Sequence, residues 1–462
     1  MCRLAQLWSR AHAPVAPGSL VAFRVLFGLL GFFGAARFLA YGWVDRFFVQ
    51  PTHFFTYPGF GWVQPLSPIG MEATFWVLAV LGLCIAAGLF YRVAIVLFFV
   101  LFTYVELIDV TNYLNHYYLV SLLALWMCFM PLSSRGSVDA RMGLPFRDGA
   151  LRRWMIVALR LQVGVVYVHA GLAKLTGDWL LHGQPLGIWM AARTDTPILG
   201  SLLGEPWVAF AMSWAGFLYD TTIPLWLSWR RTRLPAFLLL LTFHGFTHLL
   251  FTIGLFPLIM TCAATIFFDP SWPGRFVRGF RQEPAPARTP PMRGARATLA
   301  AIGVAFACFQ VLFPLRAHLY DGNVLWHEQG MRWSWRVLCR EKAGAVTYRV
   351  RWGGRRREAL VYPSRYLTDH QEREMAGQPD LILQLAHRIE DELGSEGREA
   401  VEVRVDALAS LNGRPPAPLI DPEVDLTTVS DSIAPASWIT PAPGGPPLPL
   451  HTTDPPLRPT HR

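Results

Sequence analysis

Over the first two-thirds of the chain the apolar residues fall into blocks about the length of a bilayer-crossing helix, roughly 20 residues. The blocks are Ser19–Tyr41, Glu72–Phe90, Val93–Val110, Tyr117–Met130, Trp154–Lys174, Pro206–Leu227, Leu234–Phe268 and Leu299–Phe313. Basic residues flank Leu234–Phe268 at both ends, so it is read as a hairpin that crosses twice and turns near Gly254. The pattern predicts an all-α membrane bundle of about nine transmembrane helices.

After Arg316 the pattern changes. Val346–Trp352 alternates like a strand, Gly353-Gly354 supplies a turn, and Glu358–Tyr362 returns as its partner. Leu381, Leu385, Ile389 and Leu393 share one face of a helix that Asp380 is placed to cap and Gly394 to close, and Ala400–Ala409 alternates again. These elements predict a small α+β domain. Gln282–Pro291 reads as a proline-rich linker, and from Ile433 onward proline dominates without periodicity, which predicts disorder. The expected organisation is a membrane domain over 1–316, an α+β domain over 317–432 and a loose tail over 433–462.

Composition agrees with the pattern: 53% hydrophobic and 16% charged residues is too apolar for a soluble domain. The net charge of +9 invites a nucleic-acid reading, but the arginines gather in short loops: Arg135, Arg141, Arg147, Arg152 and Arg153, then Arg230, Arg231 and Arg233, then Arg275 to Arg296. Basic loops orient membrane helices. Placing them inside predicts a cytoplasmic N-terminus and an extracytoplasmic C-terminal domain, in a bacterial inner membrane or the endoplasmic reticulum. The first block is read as a retained anchor because many further spans follow it. Six cysteines lie singly, which argues against a disulfide framework or a zinc site.

Several polar residues interrupt the apolar blocks. An ammonium in hydrocarbon is costly, so Lys174 is a candidate for a neutral amine, which is a base. The alternative is a lysine snorkelling to the interface beside Trp179, with Asp178 one helical turn on as a partner. His116 follows Asn115 in a polar and aromatic cluster at the start of a span, where a histidine bonded to a backbone carbonyl is the plainer reading. His244 and His248 have the spacing that places two imidazoles on one metal, yet they lack carboxylate partners on their helix, and no metal is expected.

Across these residues the chain resembles the vitamin K-dependent gamma-carboxylase family. The resemblance runs through Leu114-Asn-His-Tyr-Tyr118, Ala170-Gly-Leu-Ala-Lys-Leu-Thr-Gly-Asp-Trp179, Phe243-His244, Leu250–Pro257 and Trp333-Ser-Trp335, and continues in Ser410–Arg414 and Asp421–Leu426. It implies that Lys174 is the base that deprotonates a reduced naphthoquinone. It also implies that His116 stabilises the oxyanions, with Asn115 orienting its ring, and that His244 is functionally placed. Tyr117, Trp179 and Asp178 are the expected contacts to the quinol. Reduced vitamin K or a related naphthoquinol, O2 and CO2 would be consumed, and a glutamate-containing protein or peptide would be carboxylated. The chain departs from the animal pattern at Ala173, His248 and Arg340. Quinol epoxidation without carboxylation, and a non-catalytic membrane scaffold, remain alternatives at this level.

Overall fold

The computed structural model describes residues 2–144, 150–251, 253–277, 294–354 and 357–447. The expected linker at Gln282–Pro291 lies outside the described residues.

Each apolar block is helical. After a short amphipathic helix α1 (Cys2–Ala11), the membrane part runs through α2 (Gly18–Ala40), α3 (Pro68–Ala87), α4 (Tyr91–Leu107), α5 (Asn115–Cys128) and α6 (Arg153–Leu172). It continues through the short α7 (Gly177–His182) to α8 (Pro206–Ser228), α9 (Arg233–Leu250), α10 (Phe256–Ala264) and α11 (Ala295–Leu312). Among the described residues, five helices are long and apolar enough to cross a membrane: Gly18–Ala40, Pro68–Ala87, Arg153–Leu172, Arg233–Leu250 and Ala295–Leu319. Phe256–Phe267 is apolar but shorter. The last of the five is the most outward-facing, with only 11% of its apolar window buried, and Leu299, Ile302, Val304 and Phe309 are exposed along it. In water such a face would drive association, whereas lipid tails solvate it. The expected hairpin is present as α9 and α10, joined through Gly254 at φ +59°.

Glycines set how closely the helices pack. A Cβ on Gly82 would stand 2.6 Å from the backbone nitrogen of Phe32, so α2 and α3 meet backbone to backbone. One buried arginine ties the loops at the opposite end from the C-terminal domain: Arg24 donates to the carbonyls of Leu132, Ala86 and Gly136. This satisfies a charge that would otherwise be costly to bury.

The C-terminal domain is a four-stranded antiparallel sheet in the order β2-β1-β3-β4 (β1 Lys342–Arg351, β2 Ala359–Val361, β3 Glu402–Leu411, β4 Ala417–Pro418). The expected hairpin is β1 with β2, Tyr348 opposite Val361. On β3, Val403, Val405, Ala407, Ala409 and Leu411 turn inward. The expected amphipathic helix runs over Pro379–Ser395 as α13, after the short α12 (Asp369–Met375), and buries Leu381, Leu385, Ile389 and Leu393. Asp380 is not its cap. Gln378 holds that position with Pro379 at the first turn, and Asp380 instead forms an ion pair with Arg332. The tail also differs from expectation over 433–447: Ile439 bridges Ile420, the carbonyl of Trp438 accepts from Asp421, and Trp326 donates to the carbonyl of Thr440. Two apolar anchors and backbone pairing hold a segment that has no periodicity to reveal it. Residues 448–462 lie outside the described residues.

The domain sits on the membrane part through buried polar contacts. Gln384 exchanges two hydrogen bonds with the backbone of Thr56, and Gln371 donates to Asp109 and to the carbonyl of His53.

Candidate functional site

Helix α6 ends at Leu172, and Lys174 follows in the turn before Thr176 caps α7. Its side chain does not reach solvent. Lys174 is 5% exposed, and Nζ donates to the carbonyl of Ala170 at 3.1 Å, to Oδ2 of Asp220 at 2.8 Å and to the carbonyl of Val337 at 3.3 Å. The indole of Trp179 lies beside it, 5.2 Å from Nζ to the ring centroid. The snorkelling alternative therefore fails on burial.

Asp220 stands on α8, which packs along α6 at unusually short range. A Cβ on Gly171 would lie 2.8 Å from the nitrogen of Thr221, so only glycine lets the two backbones come this close. That approach brings Asp220 to Lys174. Four residues after Asp220, Pro224 sits inside α8 without an N–H to offer, which leaves the Asp220 carbonyl without its helical donor. Asp178 is not the partner that spacing suggested, because the helix stops before reaching it. Its carboxylate instead receives a two-pronged bond from Arg414 at 2.6 and 2.7 Å and one from Asn412 at 2.9 Å. Burial pushes the Asp178 carboxyl up, but the bonds from Arg414 and Asn412 outweigh it and hold the group below its ordinary value. Asp178 thus docks the C-terminal domain.

Lys174 and Asp220 line a cavity whose remaining wall is mostly apolar, including Val166, Leu186, Met212, Phe251, Phe256 and Met260. His244 lines it too. Its Nε2 pairs with the hydroxyl of Tyr167 at 2.7 Å, while Nδ1 is buried without a partner. An orphaned ring nitrogen on a residue that lines an apolar chamber is an arrangement that a polar group on a hydrophobic guest would complete. A planar aromatic diol fits these residues: apolar walls for the rings, and Lys174, Asp220 and His244 for the hydroxyls.

His116 is buried but does not line this cavity. The ring of Phe256 separates the two histidines, 5.8 Å from His116 and 6.0 Å from His244. Tyr117 lines a second apolar cavity on the other side of α10, between α2, α4 and α5. Asn115 accepts from the hydroxyl of Tyr113, which in turn accepts from the backbone of Trp333. Of the residues expected from the sequence, Lys174, His244 and Trp179 meet in one chamber. His116, Asn115 and Tyr117 flank it, and Asp178 belongs to the domain contact.

The outer wall is built by the segment around Trp333-Ser-Trp335. Trp333 stacks on Tyr57, and Trp335, fully buried, stacks on Tyr118. Trp333, Trp335 and Leu338 hold φ of +59°, +58° and +52°, a region bulky residues rarely occupy. That conformation aims the Val337 carbonyl at Lys174, and Val337 and Leu338 line the chamber. Such strain persists only where surrounding contacts over-determine it.

Asp220 and Tyr167 were not singled out from the sequence. For Asp220 the signal was available: an acidic residue inside an apolar helix carries the same cost that drew attention to Lys174.

Two family descriptions match the chain. The HTTM domain covers residues 12–272, and the vitamin K-dependent gamma-carboxylase lumenal domain covers residues 295–444. No solved structure matches.

Proposed function

The chain belongs to the vitamin K-dependent gamma-carboxylase family, and from that premise we propose that it is an integral membrane enzyme that couples oxygenation of a reduced naphthoquinol to carboxylation of glutamyl residues in a protein or peptide. The observation that carries the reading is the position of Lys174, buried and fully hydrogen-bonded at the end of an apolar chamber.

The reduced quinol would supply the reducing power and, on reaction with O2, a base strong enough to remove the γ-proton of glutamate before CO2 adds. The protein's own contribution is positional and electrostatic. Lys174 receives a hydroxyl proton. His244, held by Tyr167, offers its free nitrogen to an oxygen in the chamber. The apolar wall excludes water, which strengthens each of these bonds and protects a strong base from quenching. His116 and Asn115 act from beyond Phe256. The basic loops support a topology with the N-terminus on the cytoplasmic side, the sheet domain on the opposite face and about nine crossings in all.

The test uses purified protein in lipid nanodiscs with reduced naphthoquinone, a glutamyl peptide and labelled bicarbonate. Both epoxide and labelled peptide are expected, and Lys174→Ala should abolish both. Epoxide without label would identify a quinol epoxidase, and neither product would leave a non-catalytic membrane protein.

A further inference from the structure

Asp220 combines a buried charge, a short contact to Lys174 and a place on the cavity wall.

We propose that the proton acceptor in the chamber is the Lys174–Asp220 pair acting as one unit, with Asp220 storing the proton that Lys174 must give up. This deepens the reading of the chain as a quinol-dependent carboxylase and rests on it. A lysine at its ordinary pKa of about 10.4 keeps its proton at neutral pH, and a carboxylate 2.8 Å away favours the charged amine further. A lone neutral amine is therefore the wrong resting state. The pair is neutral as a whole, which suits an apolar chamber, and it holds a vacant proton site on Asp220.

The step balances without any redox change. Nζ passes a proton to Oδ2 of Asp220, breaking N–H and forming O–H. Nζ then takes a proton from a phenolic hydroxyl in the cavity, and the electron pair of that broken O–H bond stays on the phenolic oxygen. The pair gains one proton and one positive charge, opposite the new negative charge. Strongly interacting groups titrate as a unit, so the protons belong to the pair.

The other polar side chains nearby are not among the partners of Nζ: Nε2 of His244 pairs with the Tyr167 hydroxyl, Tyr219 on the same helix packs its ring on Phe243, and Cys339 donates to the carbonyl of Val337. The carbonyls of Ala170 and Val337 hold the two remaining protons of Nζ and cannot accept one outright. Asp220 is the sole carboxylate bonded to Nζ among the described residues.

Infrared difference spectroscopy tests this with full-length protein in nanodiscs under argon, before and after adding reduced menadione. A protonated-carboxyl band should appear, shift with 13C-aspartate, move in Asp220→Glu and vanish in Asp220→Asn. Epoxide formation in air should fall about 100-fold in Asp220→Asn and largely return in Asp220→Glu. Should Asp220→Asn fail to fold, the labelled wild-type and Asp220→Glu spectra decide the matter. Lysine-dependent epoxide with no carboxyl band would overturn the proposal and leave the functional reading intact. A wild-type protein that makes no epoxide would overturn both.

Discussion

Gly171 packs directly on Thr221, a Cβ on Gly171 falling 2.5 Å from the Thr221 methyl and 2.8 Å from its nitrogen. The methyl can turn away, but the nitrogen is backbone and cannot yield by turning a rotamer. Gly171→Ala should cost about 1–3 kcal/mol through overpacking and move Asp220 off Lys174. Thermal unfolding should therefore fall modestly while epoxide formation falls steeply. Equal activity at lower stability would mean that the close approach does not position the pair.

The Tyr167 hydroxyl fixes His244. Tyr167→Phe leaves Nε2 buried without its partner, a loss of about 1–3 kcal/mol for an unsatisfied buried group. Quinol oxidation should slow while the helical circular dichroism is unchanged. A rate equal to wild type would show that His244 orientation is set elsewhere.

The contact of Asp178 with Arg414 is a pH-sensitive clamp. Because the carboxyl is held below its ordinary value in the folded protein, its contribution is present above the unfolded value and is lost as pH falls through the folded one. Docking of the C-terminal domain should weaken below about pH 4, as read by limited proteolysis. Asp178→Asn should be weaker at neutral pH and lose that acid dependence. Arg414→Ala should cost at most about 3–5 kcal/mol, less in practice because both side chains keep about a tenth of their surface in solvent.

Trp335 fills a fully buried site against Tyr118. Trp335→Ala should cost about 3–5 kcal/mol and free the strained turn that carries Val337. Hydrogen exchange should rise across 331–340 while the helices stay protected, and product formation should disappear. Unchanged exchange in that segment would disprove the anchoring role.

Much of this was legible in the sequence, for identifiable reasons. Helical blocks and the β1–β2 hairpin follow from local periodicity, and Lys174 stood out because charge inside an apolar block is costly. The pairing of Lys174 was not legible. The spacing to Asp178 assumed a helix that continued, whereas the chain turns at Lys174-Leu-Thr and restarts on Thr176. The true partner arrives from a different helix, through a contact that a single glycine permits. The ordered stretch around Trp438–Thr440 was missed because it is held mainly through its backbone, with no repeat to show a buried face.

The Val337 carbonyl on Lys174 has a consequence for biogenesis. A ribosome finishes all the helices of the bundle before it makes Val337, so the nascent membrane part holds Lys174 with one acceptor missing and one wall of the chamber open. The surroundings of Lys174 are completed only when the last third of the polypeptide folds back and docks, so the chamber closes after its helices are made.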